Sequence, residues 1–447
     1  MGGAFDVAVI GMGPGGEVAA DRLINAGLRV VLFESGLIGG ECAYWACIPS
    51  KTVLRGPEVR GEANRAAGPG DTGLDWEQAR DHRDFMARHL DDGNQVAGYA
   101  GRGAIVVKES ARLLGPGVIE AGGSRYGAGQ VIIATGTEAL LPALEGIGDI
   151  TAWTNRETYT TPVLPASAII VGGSAVGVET AVFLAGFGIP VTLLHRGPTL
   201  LGREEPRVGE LAGEHLRAAG VDLRFSASAV RARKEGGESV LELDDGTQAR
   251  AAVVIFATGR TARTRGLGLE EAGARLDGRG NIVVDGQCRA AQGLYAIGDV
   301  TGTLSFTHVA KYQGRIAADA ILGREHAANY EGIPRVVFAD PEIAAVGLTR
   351  AQAEAAGLLV SEVVVDLAAA IARPWTYERN PRGEMGLLLD EENQVLIGAW
   401  AVSPLAGEWI HFAALAIRAR IPLEVLRDSV PQFPSYTEGY LAAFAKL

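Results

Sequence analysis

At 447 residues the chain is too long for one ordinary core, and 47% hydrophobic residues supply apolar side chains for two or three. The 41 basic residues against 53 acidic ones leave a net charge of −12 with no long basic block, which argues against nucleic acid as a partner. No stretch approaches the roughly 18 consecutive apolar residues of a membrane span, so no membrane partner is expected, and three cysteines make no secreted disulfide scaffold.

Met1 to Asp6 lacks a basic n-region, and the apolar run behind it ends in glycines and Glu17. It reads as a strand rather than a signal peptide, and the protein as cytoplasmic. The stretch "VAVIGMGPGGEVAADRLINAGLRVVLFE", Val7 to Glu34, runs apolar strand, Gly-rich turn, Ala-rich helix, second turn, second apolar strand. This is a βαβ unit with the dinucleotide fingerprint. Gly11 suits the tight turn, Gly13 a close approach to pyrophosphate, and Gly16 close packing of helix on strand. The helix N-terminus then offers N–H groups and a positive dipole end to phosphate. Glu34, at the end of the second strand, suits a ribose diol.

Next comes "GGECAYWACIPSKTVLR", Gly39 to Arg55, with Cys42 and Cys47 five apart. In a cytosolic setting a close cysteine pair is catalytic or metal-binding. Metal needs about four ligands; no nearby Cys or His cluster supplies the others, so no metal is expected. The apolar strand "VIIATGT", Val131 to Thr137, follows.

Ala168 to His195, "AIIVGGSAVGVETAVFLAGFGIPVTLLH", aligns with the first βαβ unit over 28 residues without a gap. Gly172 and Gly177 match Gly11 and Gly16. Ser174 replaces the middle glycine and still permits close approach. In place of Glu34 stands His195, followed by Arg196, with Arg203 a few residues on. A carboxylate repels a 2′-phosphate, whereas Arg pairs with it. The first unit therefore fits the ADP half of FAD, and the second fits NADPH better than NADH. "VIFATGR", Val254 to Arg260, repeats the earlier strand ending. "GLYAIGDVTG", Gly293 to Gly302, ends a short strand in Gly298 and Asp299; an acid there accepts a hydrogen bond from a polyol or caps its own turn. Cys288 stands alone and reads as structural. Toward the C-terminus, "GEMGLLLDEENQVLIGAWAVSP" reads as an antiparallel hairpin. "GEWIHFAALAIRARIPLEVL" reads as helix, with His411 on it in a polar or packing role.

This order of motifs resembles the pyridine nucleotide–disulfide oxidoreductases, the family of dihydrolipoamide dehydrogenase, glutathione reductase and mercuric reductase, and covers almost the whole chain. The resemblance implies an α/β chain with two Rossmann-like dinucleotide-binding domains, for FAD and NADPH, and a C-terminal α+β dimerisation domain. The FAD domain is expected at 1–148 and 266–330, the NADPH domain at 149–265 and the interface domain at 331–447, forming a homodimer. The resemblance assigns Gly11, Gly13, Pro14, Gly15, Gly16, Glu34, Gly40, Lys51, Thr135, Gly136, Gly298, Asp299 and Thr307 to FAD. It assigns Gly172, Ser174, Val176, Gly177, Glu179, His195, Arg196, Arg203 and Gly259 to NADPH. "FTHVAKYQG", Phe306 to Gly314, matches a helix whose N-terminus faces the flavin and stabilises its reduced charge. Lys51 matches a lysine beside the flavin, with Glu179 its ion-pair partner. Cys42 and Cys47 match a redox disulfide: Cys47 the thiolate next to flavin, Cys42 the interchange thiol that meets substrate.

The sequence also departs from the family. Disulfide-reducing members carry His-Pro…Glu near the C-terminus; here "VPQFPSYTEGY", Val430 to Tyr440, keeps Pro434 and Glu438 but has Phe433 in place of the base. Glu438 or Tyr436 would have to handle protons without it. The chain also ends with no extra cysteines, which disfavours mercuric and thioredoxin reductase activities. Tyr44 and Trp45, between the cysteines, are expected with Phe433 and Tyr436 to wall the acceptor site. Three functions follow: a thiol–disulfide reductase with altered proton handling, an NADPH-dependent reductase of quinones or other small acceptors working directly from the flavin, or a dimeric flavoprotein scaffold or redox sensor with little turnover.

Overall fold

The computed structural model describes residues 5–68, 70 and 72–447; of the N-terminal segment read as a strand, Met1 to Ala4 lie outside the described residues. The chain divides into two compact units, one of residues up to Ser50 with Asp81–Leu140 and Gly259–Asn329, the other of Lys51–Arg80, Leu141–Thr258 and Tyr330–Leu447.

In the first unit the strands Phe5–Ile10, Val30–Phe33 and Ser124–Ile133 pair in parallel, with Val9 opposite Leu32 on one side and Ile132 on the other. Where they pair centrally, at Val7–Ile10, Val30–Phe33 and Val131–Ile133, the side chains are apolar and buried, as in a parallel sheet covered on both faces. Leu294–Ala296 extends the sheet in parallel beside Ser124–Ile133, and Ile105–Val107 closes the other edge. Helices Pro14–Asn25 and Thr307–Ile321 pack so closely that a Cβ on Gly314 would lie 2.5 Å from the Gly15 carbonyl oxygen. Cys288 is fully buried in this core, as a structural cysteine is.

The second unit repeats the pattern. Ala168–Val171 pairs in parallel with Val191–His195 and Val253–Phe256, Ile170 lying opposite Leu193 and Ile255. Its C-terminal part is an antiparallel sheet in the order Pro334–Val337, Ile343–Gly347, Val395–Val402, Glu384–Asp390, Val360–Asp366. The expected hairpin is its centre, with every residue of Val395–Val402 buried. The expected single helix from Gly407 to Leu426 is instead broken into Ala406–Trp409, His411–Arg418 and Leu423–Arg427. Two features break it. Arg420 takes a left-handed φ of 48°, and the Ile421 amide reaches back to the Ala416 carbonyl in a helix-terminating turn. Pro422 then biases Ile421 away from helical backbone. His411 is exposed at the start of its helix. No helix among the described residues is long and apolar enough to cross a membrane.

Candidate active site

The first Gly-rich turn is built for backbone, not side chains. Gly11 has φ +95°, and a Cβ there would sit 2.5 Å from the Ala134 carbonyl oxygen; a Cβ on Gly16 would strike the Gly11 carbonyl. Gly15 and Gly40 are equally confined, against Ala310 and Gly13 respectively. Gly13 differs: a Cβ on it would meet nothing within 4 Å, so its backbone borders open space at the start of helix Pro14–Asn25. That helix has no side-chain cap and has Pro14 in its first turn, leaving first-turn N–H groups for an anion. Glu34 turns one oxygen to the Met12 amide (2.8 Å) and the other to the Gly36 amide (2.7 Å). This cradle of confined glycines and open amides fits the diphosphate of FAD.

In the same unit, Gly40–Tyr44 forms a short helix and Cys47 begins the helix Cys47–Arg65. The neighbouring Cys47 sulfur, followed by burial, pushes the Cys42 thiol up from its ordinary range. The Cys47 Sγ lies 3.3 Å from Thr307 Oγ1, at the start of helix Thr307–Ile321. Cys47 therefore lies at the start of one helix and beside the start of another, where the helix dipoles favour negative charge.

A polar chain missed in the sequence runs beside the pair. Thr137 Oγ1 donates to Asp299 Oδ2 (3.0 Å) and accepts from Arg260 Nε (2.7 Å). Arg260 also donates to Glu41 (2.9 Å), the residue before Cys42, and Arg263 reaches the other Glu41 oxygen at 3.3 Å. Burial raises the Asp299 carboxyl above its ordinary range. The available signal was an acid directly before Cys42 and an arginine ending "VIFATGR". Thr135 Oγ1 donates to the Arg263 carbonyl, Gly136 accepts from the Arg263 amide, and Gly298 donates to Gln313 (2.6 Å). Gly259, assigned with the NADPH residues, belongs to this first unit and accepts from the Leu140 amide.

In the second unit Gly172 and Gly177 repeat the confinement, with Cβ atoms that would strike the Ala257 and Gly172 carbonyls. Ser174 Oγ donates to the Ala257 carbonyl (3.3 Å) rather than capping helix Ala175–Gly186, so the first-turn amides around exposed Val176 stay open. Arg196 and Arg203 are exposed. Farther along the same helix, Glu179 is almost fully buried and ion-pairs with Lys51 at 2.6 Å. Its other oxygen accepts the Phe338 amide (3.0 Å), and the Lys51 ammonium lies 4.7 Å from the centre of the Phe338 ring. Each Glu179 oxygen is satisfied, so the carboxylate is fixed and orients Lys51. Phe338 was not anticipated; no pattern around "VVFADP" marks it.

Residues 5–314 match the pyridine nucleotide-disulphide oxidoreductase family, and residues 333–444 match that family's dimerisation domain. The chain belongs to this family. A mercuric reductase of Shigella flexneri is 32% identical over 98% of the chain and 80% of its own length. A dihydrolipoyl dehydrogenase of Thermus scotoductus is 33% identical over 98% and 96%. The solved structure of the HOCl-induced flavoprotein disulfide reductase RclA from Escherichia coli superposes with a TM-score of 0.88 at 27% identity, covering 99% of each chain. As a pyridine nucleotide-disulphide oxidoreductase the protein is an α/β flavoprotein oxidoreductase, and its dimerisation domain supports a homodimer.

Two expected wall residues of this oxidoreductase lie elsewhere. Tyr44 is fully buried, its hydroxyl donating to the Ile38 carbonyl (3.0 Å) and accepting from Arg88 (3.1 Å). A buried phenol needs such partners, and having them it packs the core instead of facing an acceptor. Trp45, half-buried 5.6 Å from it, is the aromatic left near the thiols. Tyr436 is buried and stacked on Trp409, and burial raises its phenol above the ordinary range. Glu438, the first residue of helix Glu438–Phe444, accepts the Ser435 amide (2.9 Å) in the turn before the helix. Phe433 is 77% exposed.

Proposed function

We propose that this protein is an NADPH-dependent flavoprotein reductase that delivers electrons through the Cys42–Cys47 pair to a small disulfide or similar small acceptor in the cytoplasm. The observation that carries the reading is the thiol pair itself: Cys42 beside Cys47, and Cys47 3.3 Å from Thr307. When bound, FAD supplies the two-electron relay between a nicotinamide and a dithiol. The confined glycines of the first turn and Glu34 hold its ADP half; Asp299 receives its polyol chain. The Lys51–Glu179 pair keeps a fixed cation available to the flavin ring. Cys47 holds negative charge at the paired helix starts, and Cys42 keeps the proton that leaves with reduced acceptor. The balance is NADPH plus a proton plus a disulfide giving NADP⁺ and two thiols. The second Gly-rich turn takes the NADPH diphosphate, and Arg196 and Arg203 answer the 2′-phosphate where the first unit has an acid.

A second reading rests on Phe433, an exposed apolar ring where disulfide-reducing relatives carry a base. A quinone or similar electrophile needs no such base, because electrons pass to it directly. Steady-state rates with each nicotinamide, against small disulfides and a menadione-type quinone, test both. NADPH is expected to exceed NADH in kcat/KM by about tenfold or more, the difference of one good charged contact. Equal use of both nucleotides would overturn the NADPH assignment. Turnover with quinones alone would replace the first reading with the second.

A further inference from the structure

The two βαβ units solve one problem with different chemistry. In the first, the amide one residue past the turn glycine, Met12 N–H, donates to Glu34 Oε2 (2.8 Å). In the second, the matching amide, Gly173 N–H, donates to His195 Nδ1 (3.2 Å). Histidine thus takes over the position and the hydrogen bond of the carboxylate. The ring sits in a slot made by glycines: a Cβ on Gly173 would lie 2.8 Å from His195 Cγ, and one on Gly197 would lie 2.7 Å from Nε2.

The bond also ties two functional segments together. Gly173 donates to His195 through its N–H and accepts the Leu201 amide (2.9 Å) through its carbonyl. Both backbone groups of Gly173 are therefore spent on the segment that runs from His195 to Arg203 and carries Arg196. An Nδ1 that accepts must be unprotonated. Burial, then the neighbouring Arg196 guanidinium, hold the ring below its ordinary range and so keep it neutral.

We propose that His195 is an uncharged substitute for the Glu34 carboxylate, a positioning residue that pins the second Gly-rich turn to the Arg196–Arg203 segment without placing a negative charge beside a 2′-phosphate. The specificity half of this rests on the NADPH reading; the pinning half rests only on the Gly173 and Leu201 hydrogen bonds. A neutral acceptor is the one chemistry that keeps the turn closed and leaves both arginines unopposed. A carboxylate closes the turn but repels the phosphate; an apolar side chain does neither.

The test is calorimetric binding of adenosine 2′,5′-bisphosphate and of 5′-AMP to the full-length, FAD-loaded protein. His195→Glu is expected to weaken the bisphosphate about a hundredfold, since like-charge juxtaposition costs several kcal/mol, while 5′-AMP changes little. His195→Ala is expected to weaken both ligands alike, about five- to tenfold, for one lost hydrogen bond. His195→Gln, an uncharged acceptor, is expected to restore most of both affinities. If His195→Glu does not fold, the Ala and Gln variants alone decide the pinning half. Bisphosphate binding by His195→Glu at wild-type strength would overturn the specificity half. Unchanged binding of both ligands by His195→Ala would overturn the pin. Wild-type protein that binds the two ligands equally would instead overturn the NADPH reading and the specificity half with it, while the Ala and Gln comparison still decides the pin.

Discussion

Glu179→Ala is expected to lower stability by about 2 kcal/mol and slow reduction of the bound flavin by NADPH about a hundredfold. The stability figure follows from burial. The Glu179 side chain is only 7% exposed and ends 2.6 Å from Lys51, whose side chain is 32% exposed. Removing one partner of a buried pair costs about 3–5 kcal/mol, and the partial exposure of Lys51 lets water recover some of that. The Phe338 amide loses its acceptor as well. On the proposal that Lys51 serves the flavin, the rate effect follows from orientation, because an ammonium without its carboxylate is free to swing. Glu179→Gln separates the two effects. It retains an acceptor for the Phe338 amide and the side-chain volume, so it recovers much of the stability; it lacks the charge, so reduction stays slow. Urea midpoints and stopped-flow absorbance at saturating NADPH give both readouts. Full-speed reduction in Glu179→Gln would contradict a role for the ion pair in the chemistry.

Cys42→Ser is expected to abolish turnover with any disulfide acceptor, by about a thousandfold or more, as loss of a covalent nucleophile does. Cys42 is the proposed interchange thiol, and a serine hydroxyl cannot exchange with sulfur. Menadione-type turnover divides the readings. A rate that persists in Cys42→Ser assigns quinone reduction to the flavin alone, and one that falls with disulfide turnover assigns both to the thiol pair.

The nucleotide-binding turns were legible because their constraints are local. Gly11, Gly16, Gly172 and Gly177 are demanded by backbone contacts within a single βαβ unit, and the spacing of the repeat carries them. The Lys51–Glu179 ion pair was legible only through family resemblance, since nothing local distinguishes it from surface charges. What escaped reading depends on chain segments far apart in sequence. Glu41 meets Arg260 across 219 residues, and Glu179 meets the Phe338 amide across 159. Tyr44 was misplaced for a local reason. Its spacing put it between the cysteines, but alternate side chains on a short helix point opposite ways, and its hydroxyl finds Ile38 in the core. The helix expected from Gly407 to Leu426 shows the converse, where apolar periodicity continues through a stop that Arg420 and Pro422 impose locally. The sequence comparison of Glu34 with His195 marked a change of charge; only the structure shows that the hydrogen bond survives it.

The central claim is that electrons from NADPH reach the Cys42–Cys47 pair. Anaerobic titration of the air-oxidised protein with NADPH, followed by alkylation and peptide mass mapping, tests it directly. Cys42 and Cys47 are expected to become alkylated together only after NADPH is added, with core-buried Cys288 unlabelled under native conditions. Bleaching of the flavin by NADPH with no new alkylation at either cysteine would contradict it.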